Sequence, residues 1–181
     1  MIRAFYRNVP GWLVICFMAA NIFMSAVVMP QAAARMEKAS PGGVILDLTI
    51  PTYHSEEALL AVENLGDAGR AVYKSIAFGE DLIYPIIYGF TLILLVAYLW
   101  RKVAPELTWC WRLCMVPVLA VLFDYAENFS IVAMVNQFPE KVTITAQLAS
   151  AFTLFKWFFV FASILLVLAG LGAWIIRRLT E

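Results

Sequence analysis

Four runs of apolar residues follow one another along the chain, separated by polar or basic segments. They cover about residues 11–29, 82–100, 113–136 and 145–176. As an α-helix the first run is about 28 Å long, close to the roughly 30 Å of hydrocarbon in a bilayer. The pattern predicts one all-α membrane domain over residues 1–181, with four transmembrane helices packed as a bundle.

The connection between the first two runs, about residues 30–80, predicts a small, mainly helical extracytoplasmic segment. Residues 44–50 could form a short extended piece in it. Ser55 precedes two glutamates, which is typical of a helix N-terminus, and this helix would stop at Gly66. A second helix from Asp67 would lead into the next apolar run.

The first apolar run has two interpretations. Arg3 and Arg7 precede it and alanines occupy positions 32–34, as in a cleaved signal peptide. The run is longer than the roughly 7–15 apolar residues of a signal peptide core, so we expect a retained helix.

Basic residues predict the orientation of the helices. Short segments rich in lysine and arginine stay in the cytoplasm, whereas the long connection at 30–80 carries more acidic than basic residues. Both termini are therefore expected in the cytoplasm. The basic residues that indicate this are Arg3, Arg7, Arg101, Lys102, Arg112, Arg177 and Arg178.

Composition supports a membrane protein and argues against several functions. The chain is 63% hydrophobic and 14% charged, against roughly 45–50% and 25% in soluble domains. Thirteen basic and thirteen acidic residues cancel, so no basic face for nucleic acid is indicated. One histidine, His54, makes a bis-histidine haem or a Ser-His-Asp triad hard to build. Cys110 and Cys114 share a helix face but make a poor metal site, and the sequence leaves any cofactor undetermined.

Three polar side chains on three helices are predicted to reach a similar depth near the membrane midplane. Asp124 and Lys156 each lie about 16 Å from the end of their run, and Asn21 lies near the middle of the first. An ionised side chain there costs about 2.5–3.5 kcal/mol or more, so these residues should face the bundle interior.

Further polar residues extend this cluster. Glu127 and Asn128 lie one turn from Asp124 on the same face, and Thr153 lies one turn from Lys156. On the second helix, one face carries three more candidates. The predicted ligand-binding residues are Asn21, Asp81, Tyr84, Tyr88, Asp124, Glu127, Asn128, Thr153 and Lys156.

Lys156 is expected to pair with Asp124 or Glu127, which leaves one negative charge. A proton, a cation, a neutral donor or water must satisfy that charge. The cluster could bind a small ligand, an ion or proton, or a lipid headgroup. It could also only hold the bundle together by hydrogen bonds.

Two other functions stay open. The chain could be an accessory subunit or assembly factor that binds a membrane-protein partner or a second copy of itself. It could also be an intramembrane lipid-modifying enzyme, with Asp124 or Glu127 as general acid or base and Lys156 tuning its pKa. The absence of a nucleophile constellation in the sequence argues against the enzyme.

Four short motifs resemble the pattern of an uncharacterised family of bacterial four-helix integral membrane proteins. The resemblance covers most of the chain from Ser55 onward and implies a multi-pass protein of the bacterial inner (plasma) membrane. It implies no activity. The motifs are Leu65-Gly66-x-x-Gly69-Arg70-x-x-Tyr73, Asp81-x-x-Tyr84-Pro85-x-x-Tyr88-Gly89, Asp124-x-x-Glu127-Asn128 and Thr153-x-x-Lys156-Trp157.

Overall fold

A computed structural model describes residue 6, residues 8–107 and residues 109–180, and every regular element in these parts is helical. The α-helices are α1 (Gly11–Phe23), α2 (Met29–Ala39), α3 (Ser55–Asn64), α4 (Gly66–Phe78), α5 (Glu80–Val103), α6 (Met115–Gln137) and α7 (Thr143–Thr180). A π-helical segment, Met24–Val28, joins α1 to α2, and 3-10 turns occupy Leu46–Leu48 and Cys110–Cys114.

Four helical stretches are long and apolar enough to cross a membrane. They are Gly11–Ala39, Gly66–Val103, Cys110–Gln137 and Thr143–Thr180. The prediction of an all-α chain with four such helices is therefore confirmed. Each stretch is longer than the apolar run that predicted it, and the fourth, with 38 residues, is about 57 Å long.

The first helix continues past the point where the sequence predicted its end. Its apolar run stops before Pro30, but the helix reaches Ala39. The reason is the π-helical segment Met24–Val28, which directly precedes the proline region. A wider turn there makes room for the pyrrolidine ring, which in a regular α-helix clashes with the carbonyl four residues earlier.

The connection from α2 to α4 is a loop (residues 40–54) followed by α3. The helix start predicted at Ser55 is off by one residue, because His54 is the N-cap and Ser55 is the first residue of α3. Glu57 accepts a hydrogen bond of 2.8 Å from the backbone N–H of His54. Gly66, with φ of 63°, makes the turn into α4. Residues 44–50 do not form one extended piece, because a 3-10 turn at Leu46–Leu48 directs this part of the loop towards the bundle.

Two apolar core clusters lie at opposite ends of the helices. One joins α2, α3 and α4 to the C-terminal end of α6 and the N-terminal end of α7, with Met36, Ala58 and Ile131 among its members. The other joins α1 to the C-terminal half of α5, with Leu94 and Cys110 among its members. On α5, α6 and α7 alike, the polar residues of the candidate site lie between these clusters, so apolar packing closes the site at both ends.

The outer surface of the bundle is strongly apolar. Exposed side chains along α7 include Phe158, Phe161, Leu165 and Leu168, and those along α1 include Ile15 and Ile22. Water would not favour so much contiguous apolar surface, whereas hydrocarbon tolerates it at no cost.

Candidate ligand-binding site

A buried ion pair forms the back wall of the site. Lys156 Nζ on α7 lies 2.5 Å from Glu127 Oε2 on α6. Both residues are almost fully buried, at 5% and 0% exposure. The hydroxyl of Thr153 donates to the other glutamate oxygen, Oε1, at 2.5 Å. Of the two carboxylates that the sequence offers to Lys156, the structure pairs it with Glu127.

The second carboxylate on α6 has neutral partners. Tyr88 on α5 donates its hydroxyl to Asp124 Oδ2 at 2.8 Å, and Asn128 donates its amide to Oδ1 at 3.1 Å. Each oxygen of Asp124 therefore has one donor. Gly89 makes this arrangement possible, because a Cβ at that position would lie 2.3 Å from Val121 Cγ2 on α6.

Asp81 differs from the other two carboxylates. It lies in the first turn of α5, where the helix dipole favours a negative charge, and it is 6% exposed. In the part of the chain that the structure describes, no group donates a hydrogen bond to its carboxylate. Asp81 is thus a buried acid that the described residues leave without a hydrogen-bond donor.

A fourth acid, Asp47, belongs to the site and was not among the predicted residues. The 3-10 turn of the 40–54 loop carries it to the site, where its backbone carbonyl accepts a hydrogen bond of 2.7 Å from Lys156 Nζ. Burial raises the pKa of the Asp47 carboxyl, and the Lys156 ammonium opposes this in part. One signal was present, since Asp47 is the only charged residue in the otherwise apolar stretch 44–48.

These groups surround a cavity of about 380 Å³, within the range of small-molecule sites. Six of the nine predicted residues line it: Asn21, Asp81, Tyr84, Tyr88, Asp124 and Lys156. Glu127, Asn128 and Thr153 lie behind this wall, hydrogen-bonded or paired to its members. Asp47, Thr91 and Trp157 line the cavity without having been predicted.

Two more polar atoms of the lining are unsatisfied within the described parts of the chain. The Oδ1 atom of Asn21 and the Nε1 atom of Trp157 are buried and have no hydrogen-bond partner there. Asn21 comes from α1 and Trp157 from α7, on different walls of the cavity. A ligand with both polar and apolar parts could therefore contact several walls at once.

Carboxylates outnumber the cation in this site. Asp47, Asp81, Asp124 and Glu127 face one ammonium, that of Lys156. Two of the four, Asp47 and Asp81, also line a neighbouring cavity of about 260 Å³ beneath α2. Among the described residues, no three acidic, histidine or cysteine side chains converge as a metal site would require.

Comparison of the chain with family models, with curated proteins and with solved structures gives no match. The fold and the site thus define a class and no particular relative. The class is an all-α protein with four helices able to cross a membrane and a carboxylate-rich cavity among them.

Proposed function

We propose that the chain is an integral membrane protein whose intramembrane site binds a small ligand, with a cation, a protonated group or a lipid headgroup at its polar end. The observation that carries this is Asp81, a buried carboxylate that lines a cavity and has no donor among the described residues. Such a group is costly to keep unless function requires it, because a buried polar group without a hydrogen-bond partner costs about 1–3 kcal/mol.

The geometry favours binding over a purely structural role for the cluster. Structural polar residues satisfy one another, as Lys156, Glu127 and Thr153 do. Asp81 and the Asn21 amide oxygen contribute no hydrogen bond to the bundle, yet both face the same space. These two groups have the properties of a recognition site.

The location is part of this proposal. We place the protein in the bacterial inner membrane with both termini in the cytoplasm and the α2–α4 region outside, in line with the basic residues and with the family resemblance. A cysteine at Glu56, which is exposed on α3, should react with an impermeant maleimide in intact cells. A cysteine at Arg178, exposed near the end of α7, should react only after lysis. The reverse result would invert the topology.

Native mass spectrometry tests the binding function. The protein is extracted gently from its own membranes as wild type, Asp81→Asn and the control Glu56→Gln, whose side chain is exposed on α3. We expect a discrete mass on wild type and control that Asp81→Asn loses. A mass that Asp81→Asn retains equally would place binding elsewhere. A wild type that carries bulk lipid alone would contradict a binding function.

A further inference from the structure

The lining of the 380 Å³ cavity changes from polar to apolar in one direction. Along α5 the order is Asp81, Tyr84, Tyr88 and Thr91, then Leu92 and Leu95. The Thr91 hydroxyl bonds to backbone carbonyls. The helix α7 runs parallel to α5, since Trp100 donates to the Leu166 carbonyl at 3.0 Å and, further along both helices, Arg177 donates to the Lys102 carbonyl at 3.1 Å. The residues of α7 that line the cavity also change from polar to apolar in this direction.

On α7 the charged Lys156 is followed by apolar lining residues one and two turns further along, Val160 and Ile164. Both walls therefore have their charges at the end near α3 and α4 and their aliphatic side chains at the other end. A ligand that matches this cavity has a polar head and an apolar tail.

The charges at the polar end determine the sign of the head. Lys156 is already neutralised by Glu127, and Asp124 has two neutral donors. Asp81 and Asp47 are the two acids that these contacts leave without a cation. An ammonium there would supply the hydrogen-bond donors that Asp81 lacks and would favour the ionised carboxylates, whereas an anionic head would do neither.

Aromatic rings also favour a cation. Tyr84 and Tyr88 form an edge-to-face pair with ring centroids 5.5 Å apart, and both line the cavity with Trp157. The faces of such rings attract ammonium groups, and the attraction grows when water is excluded.

The cavity reaches the side of the bundle. Four of its lining residues are also exposed on the outer surface: Met18 at 40%, Ile22 at 61%, Leu48 at 57% and Ile164 at 40%. Met18 and Ile22 belong to α1, which packs chiefly against α5, and Ile164 belongs to α7. Leu48 lies in the 40–54 loop, at the polar end of the cavity. The opening therefore lies between α1 and α7, on a surface that hydrocarbon would cover.

We propose that the ligand of this site is an amphiphile with a primary ammonium head and an aliphatic tail, which enters sideways from the membrane between α1 and α7. The proposal rests on the proposed function and specifies its ligand. The head would lie between Asp81 and Asp47, and the tail along Leu92, Leu95 and Ile164.

Dodecylamine is the probe, and it is compared with two compounds that each lack one of its features. Dodecanol has the same tail but no charge, and butylamine has the charge but only a short tail. The full chain is held in phosphatidylcholine nanodiscs, and adducts are counted by native mass spectrometry. We expect dodecylamine to bind at least about tenfold more tightly than either compound. Asp81→Asn should lose this preference, and Glu56→Gln should keep it.

The entry route has its own pair of variants. Ile164→Trp puts a large ring at the opening, whereas Leu165→Trp puts the same ring on the neighbouring exposed position that does not line the cavity. We expect Ile164→Trp to reduce dodecylamine binding by about tenfold or more and Leu165→Trp to leave it unchanged. Equal effects of the two variants would overturn the lateral route.

The remaining outcomes separate this proposal from the proposed function. If dodecanol binds as tightly as dodecylamine, the ligand does not need an ammonium head. If butylamine binds as tightly as dodecylamine, the ligand does not need a long tail. In both cases the proposed site itself is still supported. If none of the three binds but wild type keeps a native mass that Asp81→Asn loses, the ligand class alone fails. If there is no native mass either, both fail. If phosphatidylethanolamine in the nanodisc competes with dodecylamine, the source of the amine is a bilayer lipid. If it does not compete, the source is a free long-chain amine.

Discussion

The ammonium of Lys156 donates a hydrogen bond of 2.7 Å to the backbone carbonyl of Asp47, 109 positions earlier in the chain. This bond fixes the 40–54 loop to the middle of α7 at the place where Lys156 also pairs with Glu127. One buried cation thus joins two helices and a loop. The loop in turn supplies the fourth carboxylate of the site, so the fold of the loop and the charge of the cavity depend on each other.

Breaking this ion pair should destabilise the protein much more than removing it entirely. Lys156→Met leaves Glu127 buried without its cation, and loss of one partner of such a pair costs about 3–5 kcal/mol. For a chain of this size the loss corresponds to a fall in unfolding temperature of roughly 6–20 °C. The double variant Lys156→Met, Glu127→Leu should recover much of that loss.

Thermal unfolding of the detergent-solubilised protein, followed by size-exclusion chromatography, provides the measurement. Ser163→Ala is the control, because Ser163 is equally buried on α7 but bonds only to Phe159 in its own helix. A double variant no more stable than Lys156→Met alone would show that the unpaired Glu127 carboxylate is not the cause of the loss.

The 40–54 loop should loosen when its contacts with α7 are removed. Besides Lys156, α7 holds the loop through Ser150, which donates to the Tyr53 carbonyl at 2.5 Å, while Thr52 donates to the Ser150 carbonyl at 2.7 Å. Ser150→Ala leaves the buried Tyr53 carbonyl unsatisfied, a cost of about 1–3 kcal/mol. Hydrogen exchange of residues 44–54 should therefore become faster in Ser150→Ala and in Lys156→Met.

Exchange should stay unchanged in Ser163→Ala, and in Ser150→Ala the increase should be confined to the loop, with α6 unchanged. If the loop exchanged equally fast in wild type and in Lys156→Met, the bond to the Asp47 carbonyl would have no role in holding the loop.

The helices could be predicted from the sequence, whereas the course of the loop could not. A membrane leaves a long apolar segment few options other than a helix, so the four runs were sufficient to predict the four long helices. The candidate residues on α5, α6 and α7 follow from helical spacing, because positions three and four apart share a face. Six of the nine accordingly line one cavity.

Asp47 could not be placed in the same way. A loop has no periodicity, and the position of its 3-10 turn depends on contacts with distant residues such as Lys156 and Ser150. The end of the first helix was missed for a related reason: Pro30 normally indicates a helix end, and the π-helical turn that accommodates it has no clear sequence signature.

The close approach of α5 and α6 at Gly89 should tolerate no side chain. A Cβ there would lie 2.3 Å from Val121 Cγ2, so Gly89→Ala must push the helices apart at a cost of about 1–3 kcal/mol. Because Tyr88 directly precedes Gly89, the shift would also disturb the hydrogen bond between Tyr88 and Asp124. Removing the clashing methyl groups by adding Val121→Ala should restore most of the lost unfolding temperature.

Gly172→Ala is the matched control, since a Cβ at Gly172 meets no atom within 4 Å. It should leave stability unchanged or raise it slightly through better helix propensity. If Gly89→Ala were as stable as Gly172→Ala, the packing of α5 on α6 would be looser than the structure shows.

The raised pKa of Asp47 should make the stability of the protein depend on pH in a defined direction. Burial favours the protonated carboxyl in the folded chain, with the Lys156 ammonium opposing this in part. The stabilisation from the protonated form is complete below the pKa of the unfolded chain, near about 4. It is lost as the pH rises through the raised pKa of the folded state.

Asp47→Asn removes this titration, so the variant should gain in unfolding temperature relative to wild type as the pH rises from about 4 to 8. Other titratable groups face Asp47 and are present in both proteins, so only the part of their titration that depends on the Asp47 charge remains in the difference. They are Lys156, Asp81, Asp124, Glu127, Tyr53 and Tyr73. Glu56→Gln, on the exposed face of α3, is the control and should give a curve parallel to that of wild type. If Asp47→Asn also ran parallel to wild type over this range, the Asp47 carboxyl would keep its ordinary pKa in the folded protein and would be ionised near neutral pH.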